Sequence, residues 1–160
     1  MLEYLNPKLL VRIRSIRYKK DEPEIEIVSI LCDKNKLGLD IGANLGIYSY
    51  VISKSSKKCI SLEPHPDYAN RLKCLRIENI IVLNYAASDK SGVTTLTIPD
   101  NKVGLASISQ NRFKSDEIIS FVNLKKIKVK TVLLDEIIND PIDFIKIDTC
   151  LLYTSPSPRD

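Results

Sequence analysis

No run in this 160-residue chain is apolar for long enough to cross a membrane, and the first residues lack the apolar stretch of a secretion signal. The four cysteines (Cys32, Cys59, Cys74 and Cys150) contain no C-x-x-C pair, so zinc-ribbon and dithiol spacings are excluded. Free buried thiols in a reducing cytoplasm are expected instead. Only one histidine is present, His65, and no metal-ligand cluster is evident. His65 stands between two prolines, so a place at a pocket rim or in solvent is expected rather than a general base. No internal repeat occurs. The chain also lacks the G-x-G-x-x-G spacing that makes room for a dinucleotide pyrophosphate.

What is present is an ordinary soluble composition. Hydrophobic residues make up 44% and charged residues 28%, enough for one domain with a real core. The net charge of +4 is concentrated at one end. Residues 1–20 carry Lys8, Arg12, Arg14, Arg17, Lys19 and Lys20 against Glu3 alone. The basic stretch Tyr4 to Lys20, with Leu5, Leu9, Val11, Ile13 and Ile16 as its apolar members, predicts a helix over a sheet with a solvated outer face. A membrane surface or a partner is the alternative use of such a segment.

The periodicity then alternates strand with helix. A helix is expected over Glu24 to Leu31, with Ile27, Ile30 and Leu31 on its packed face. Leu37 to Ile41 reads as a strand, Asn44 to Ser53 as a helix and Lys58 to Leu62 as a strand. Asp67 to Glu78 follows as a helix through Tyr68, Leu72 and Leu75, and Ile80 to Tyr85 as a strand. Short connections between such elements imply a parallel, right-handed, doubly wound sheet. Beyond it, Val93 to Ile98 is a strand closed by Pro99, and 101–116 is polar and loop-like. Lys126 to Val132 alternates lysine with Ile127, Val129 and Thr131, as a two-faced strand does; its lysines suit a solvent-facing or edge position. Val132 to Asn139 is a short helix, and Asp143 to Asp148 an apolar strand ending in an acid.

The chemistry is concentrated around Leu37 to Gly46, which reads Leu-Gly-Leu-Asp-Ile-Gly-Ala-Asn-Leu-Gly. A buried-type strand runs into a glycine turn, and Glu63 stands twenty-one residues after Gly42. This is the layout of a nucleoside-cofactor site, with the later acid on the ribose hydroxyls. Asn44 and Ile47 occupy the positions where a dinucleotide fingerprint needs its second and third glycines. Asp40, two residues before Gly42, would repel a phosphate and suits a cationic, amine-bearing ligand. S-adenosylmethionine, with a sulfonium, an amine and no phosphate, therefore fits better than NAD.

With these residues, Pro23 to Asp148 resembles the FkbM-type methyltransferases. The matching pieces run in the family's order. They are Leu39-Asp40-Ile41-Gly42-Ala43-Asn44-Leu45-Gly46-Ile47-Tyr48-Ser49, Leu62-Glu63-Pro64-His65-Pro66, Ala86-Ala87-Ser88-Asp89-Lys90-Ser91-Gly92, Gly104-Leu105-Ala106-Ser107-Ile108 and Phe144-Ile145-Lys146-Ile147-Asp148. The resemblance implies an α/β, Rossmann-like, parallel doubly wound sheet of the class I methyltransferase type, C-terminally incomplete. It implies that Asp40, Gly42, Ala43, Asn44 and Gly46 wrap the methionine part of S-adenosylmethionine and that Glu63 holds its ribose. Ala87 and Ser88 would line the adenine, and Asp148 would lie beside the transferred methyl.

The implied reaction is in-line displacement by a hydroxyl oxygen of a sugar, glycan or other small metabolite. No general base is identified, no metal site is evident, and neither nucleic acid nor a membrane span is expected. An NAD-type oxidoreductase and a non-catalytic cofactor-binding or interaction domain are the alternatives.

After Lys146-Ile147-Asp148 the resemblance stops. Cys150 to Asp160 contains Ser-Pro-Ser-Pro, which neither continues a helix nor enters a sheet, and looks like a translated sequencing adapter. The expected organisation is a basic helical extension over 1–35, a partial Rossmann-like domain over 36–149 and a foreign tail over 150–160. The fourth strand would then expose an unpaired edge, with poor solubility and little turnover.

Overall fold

A computed structural model describes residues 6–99 and 123–148. The expected loop at 101–116, the Gly104–Ile108 motif, Leu5, Cys150 and the tail over 150–160 lie outside the described residues.

The central sheet has four parallel strands in the order β3-β2-β1-β7: β1 Leu37–Ile41, β2 Lys58–Leu62, β3 Ile80–Leu83 and β7 Ile142–Ile147. β1 lies inside the sheet and is buried along its whole length, as parallel strands covered on both faces are. A second sheet, in the order β4-β6-β5, joins β4 Ala86–Ala87, β5 Gly92–Pro99 and β6 Leu124–Val132. β5 and β6 pair antiparallel from Gly92 opposite Thr131 to Pro99 opposite Leu124. The fold is the α/β, Rossmann-like arrangement expected.

The two faces of the central sheet differ in chemistry. Leu37, Leu39, Ile41, Ile60 and Leu62 form one core cluster with Val132, and Leu134 and Ile137 pack against it. Alternation puts Gly38, Asp40, Cys59 and Ser61 on the opposite face. That face meets α3, Ile47–Ser55. A Cβ on Gly38 would collide with Ile52 and stand 2.9 Å from Ser56 Oγ. The missing side chain is what lets α3 lie so close.

Helix bounds follow their end chemistry. α1, Pro7–Tyr18, begins with Pro7 in the first turn and Asn6 Oδ1 accepting from Lys8 N at 2.9 Å. It packs against α3. Val11 is its buried apolar anchor, whereas Leu9 and Ile16 are exposed. The expected Glu24 to Leu31 helix is a 3₁₀ turn, Pro23–Glu26, followed by a single turn α2, Val28–Leu31. The tighter turn shifts the packed face: Ile25 and Val28 are buried, while Ile27, Ile30 and Leu31 face solvent.

α3 starts at Ile47 rather than Asn44, because Gly42, Asn44 and Gly46 all have positive φ. α4, Pro66–Lys73, ends five residues before Glu78, and Arg76 just beyond it is left-handed at φ 49°. α5 is the single turn Leu134–Ile137. No helix among the described residues is long and apolar enough to cross a membrane.

Candidate functional site

The turn after β1 is shaped by backbone conformation. Gly42 and Gly46 have φ of 80° and 78°, and Asn44 sits at 49°, a region that L-residues other than asparagine and aspartate seldom adopt. A Cβ on Gly46 would also stand 2.9 Å from Leu72 Cγ. The turn is tied to the neighbouring strand: Gly42 N and Ala43 N both donate to Leu62 O at 3.0 Å.

Glu63 completes this cradle. It follows β2 and is buried, with Oε2 accepting from Asn44 N at 2.6 Å and Oε1 from His65 N at 2.8 Å. Burial pushes its carboxyl above the usual range, and the two amides pull it back. Asn84 Nδ2 donates to the carbonyls of Glu63 at 2.7 Å and Pro64 at 3.0 Å, fixing the segment from behind.

Asp40 is wholly buried beneath the turn. Its Oδ2 accepts from Ser49 Oγ at 2.6 Å, and Ser49 Oγ accepts from Ser61 Oγ at 2.9 Å. Asp40 Oδ1 has no hydrogen-bond partner; its nearest cation is Lys146 Nζ at 3.6 Å. Lys146 also pairs with Asp148 at 3.3 Å and lies 4.7 Å from the centre of the Tyr48 ring. Burial raises the Asp40 carboxyl, opposed by Lys146 and Ser49. One lysine thus joins the buried acid in β1 to the exposed acid after β7.

A cavity of about 100 Å³ opens at this end of the sheet. The turn contributes Ala43 and Asn44, β7 contributes Lys146 and Asp148, and Tyr48 comes from α3. Tyr18 closes it from the end of α1 and Glu22 from the turn that follows. Of the residues expected at a site, Ala43, Asn44 and Asp148 line this cavity. Asp40 lies under it. Ala87 and Ser88 sit at the β4–β6 junction, where Ser88 N donates to Val132 O at 3.0 Å.

Lys146 was visible within Phe-Ile-Lys-Ile-Asp as a cation in an apolar strand. Nothing in the spacing marks Tyr18 or Glu22, which come from a different part of the chain.

His65 is not at a rim. It is buried, and its Nδ1 accepts from Asp67 N at 3.2 Å as the N-cap of α4. Its two flanking prolines belong to the strand exit and the helix entry. Cys59 is buried and Cys32 partly so, but Cys74 is exposed; all three are free thiols.

A parallel sheet with a left-handed turn after its first strand and an acid after its second is the layout of a Rossmann-like α/β fold. Residues 40–149 match the family model of the methyltransferase FkbM domain. The chain belongs to that family. No curated protein matches it. Among solved structures, the M. jannaschii tRNA m1G37 methyltransferase is similar at 17% identity and a TM-score of 0.34, over 47% of this chain and 34% of that one. The chain thus spans about a third of the length of that relative.

Proposed function

We propose that this protein binds S-adenosylmethionine and transfers its methyl group to a hydroxyl oxygen of a sugar, glycan or other small metabolite. The observation that carries the cofactor reading is Asn44. Its amide is donated to Glu63 at 2.6 Å and its side chain stands where a pyrophosphate would need glycine. A dinucleotide phosphate would meet both a spent donor and a carboxylate there. The acids at and below the cavity favour a cationic ligand. The family membership supports the reaction class.

S-adenosylmethionine would supply an activated methyl for in-line displacement. Glu63 has lone pairs left for ribose hydroxyls, and Ala43, Asn44 and Gly46 shape the floor beneath the amino-acid end. Chain residues would contribute alignment and exclusion of water more than bond-breaking chemistry. The acceptor class rests on family analogy. A cytoplasmic location and no nucleic-acid partner complete the reading; free thiols at Cys32, Cys59 and Cys74 suit a reducing compartment.

Calorimetric titration with S-adenosylhomocysteine and with NADH tests the cofactor. S-adenosylhomocysteine is expected to bind preferentially, and Glu63→Ala to weaken it by about tenfold or more through lost charge-assisted hydrogen bonds. Preferential binding of NADH would overturn the reading, and an unchanged affinity in Glu63→Ala would remove the ribose role. Methyl transfer to hydroxylated acceptors, followed by release of S-adenosylhomocysteine, tests the reaction itself.

A further inference from the structure

The family match begins at residue 40, yet the cavity wall is not built from that region alone. Tyr18 and Glu22 reach it from the end of α1 and the turn that follows. Their placement is well anchored. Glu22 N and Asp21 N both donate to Tyr18 O, at 2.8 and 3.0 Å. Lys19 pairs with Glu26 at 3.3 Å, and Val11 is buried in a cluster with Ala43, Leu72 and Leu75. The same cluster that seats α1 thus contains a residue of the cofactor turn.

The charges facing this cavity are unequal. Lys146 is its lining cation, and it is already shared between Asp40 at 3.6 Å and Asp148 at 3.3 Å. Among the described residues, no cation lies within salt-bridge distance of Glu22, whose neighbours at the cavity are two phenols, Tyr18 and Tyr48. Burial, and then hydrogen bonding to Glu22, holds the Tyr48 phenol protonated well above its ordinary range. The pocket therefore offers a carboxylate beside two phenols, with no cation in salt-bridge distance of it among the described residues. A ligand ammonium would supply that cation.

We infer that Glu22, from outside the matched domain, binds the α-ammonium of the amino-acid end of the methyl donor, with Tyr18 and Tyr48 as the adjoining walls. This rests on the S-adenosylmethionine reading above. It makes the segment after α1 part of the cofactor site rather than an appendage.

The full chain is titrated with S-adenosylhomocysteine, with its deaminated analogue, and with 5′-methylthioadenosine, which lacks the amino-acid end. The wild type is expected to prefer S-adenosylhomocysteine over the deaminated analogue by about tenfold or more, the scale of a charge-assisted hydrogen bond. Glu22→Gln is expected to remove that preference while leaving 5′-methylthioadenosine affinity unchanged, and Glu22→Asp to retain part of it. The inference is overturned if the deaminated analogue binds the wild type as tightly as S-adenosylhomocysteine. It is also overturned if Glu22→Gln weakens both nucleosides equally. Failure of the wild type to bind either nucleoside would instead sink the cofactor reading, and this inference with it. The wild-type comparison stands even if a Glu22 variant does not fold.

Discussion

Asp40 is the residue on which the site's electrostatics turn. It is fully buried, yet only one of its oxygens has a hydrogen-bond donor, Ser49 Oγ at 2.6 Å. A string of side chains continues from Ser49 to Ser61 at 2.9 Å and on to Cys59 Sγ at 3.5 Å, tying α3 to β1 and β2. Desolvation outweighs Lys146 and Ser49, so the folded-state carboxyl holds its proton to higher pH than in the unfolded chain. Within that window the native state binds more protons than the unfolded state, and stability declines as pH rises. Glu63, also raised by burial, acts with the same sign. Asp40→Asn removes one of these two groups. Its stability relative to wild type, from urea unfolding at a series of pH values, is expected to improve as pH rises from about 4 to 7. A relative stability that worsens over that range would show that pairing with Lys146 dominates burial.

Strands were far more legible in the sequence than helix ends. β1, β2, β5 and β7 fall within a residue or two of the hydrophobic runs; for β1 and β2 the cause is burial on both faces, which leaves a nearly continuous apolar signature. The helices around Pro23 and Asn44 were misplaced for local reasons that periodicity does not carry. At Asn44 the left-handed turn delays the helix by three residues. At Pro23 a 3₁₀ turn rotates the apolar face, so the residues at helical spacing, Ile27, Ile30 and Leu31, are the ones left in solvent. The lining of the cavity was legible where it is local, at Ala43, Asn44 and Asp148. It was not where the chain returns from far away, at Tyr18 and Glu22. The phase of the Pro23–Leu31 segment is directly measurable. Ile25→Ala, which empties a position 1% exposed, should cost about 2–5 kcal/mol. Ile30→Ala, at a position 80% exposed, should stay within about 0.5 kcal/mol. Equal losses in urea unfolding would mean that the two turns pack as one regular helix.

Across the whole molecule, the two sides of the central sheet end differently. Beyond β3 lies a cleft of about 470 Å³ that brings Asn84 and Tyr85 near Lys73, Lys128 and Lys130. The exposed lysines of β6 interrupt any apolar continuity there. β7 has no such protection among the described residues. Among the described residues it pairs with β1 alone, and its register places Ile145 beside Leu39 and Ile147 beside Ile41, on the apolar face. The cover supplied by Val132, Leu134 and Ile137 reaches the interior strands, but Ile145 and Ile147 remain 47% and 64% exposed. An open strand edge with apolar side chains beside it is a template for a second chain. The protein is therefore expected to self-associate as its concentration rises, by light scattering or sedimentation. Ile145→Lys, which puts a charge on that face without touching Lys146 or Asp148, should lower the association and raise solubility. Undiminished association in the variant would place the contact elsewhere, with the basic α1 surface the next to test.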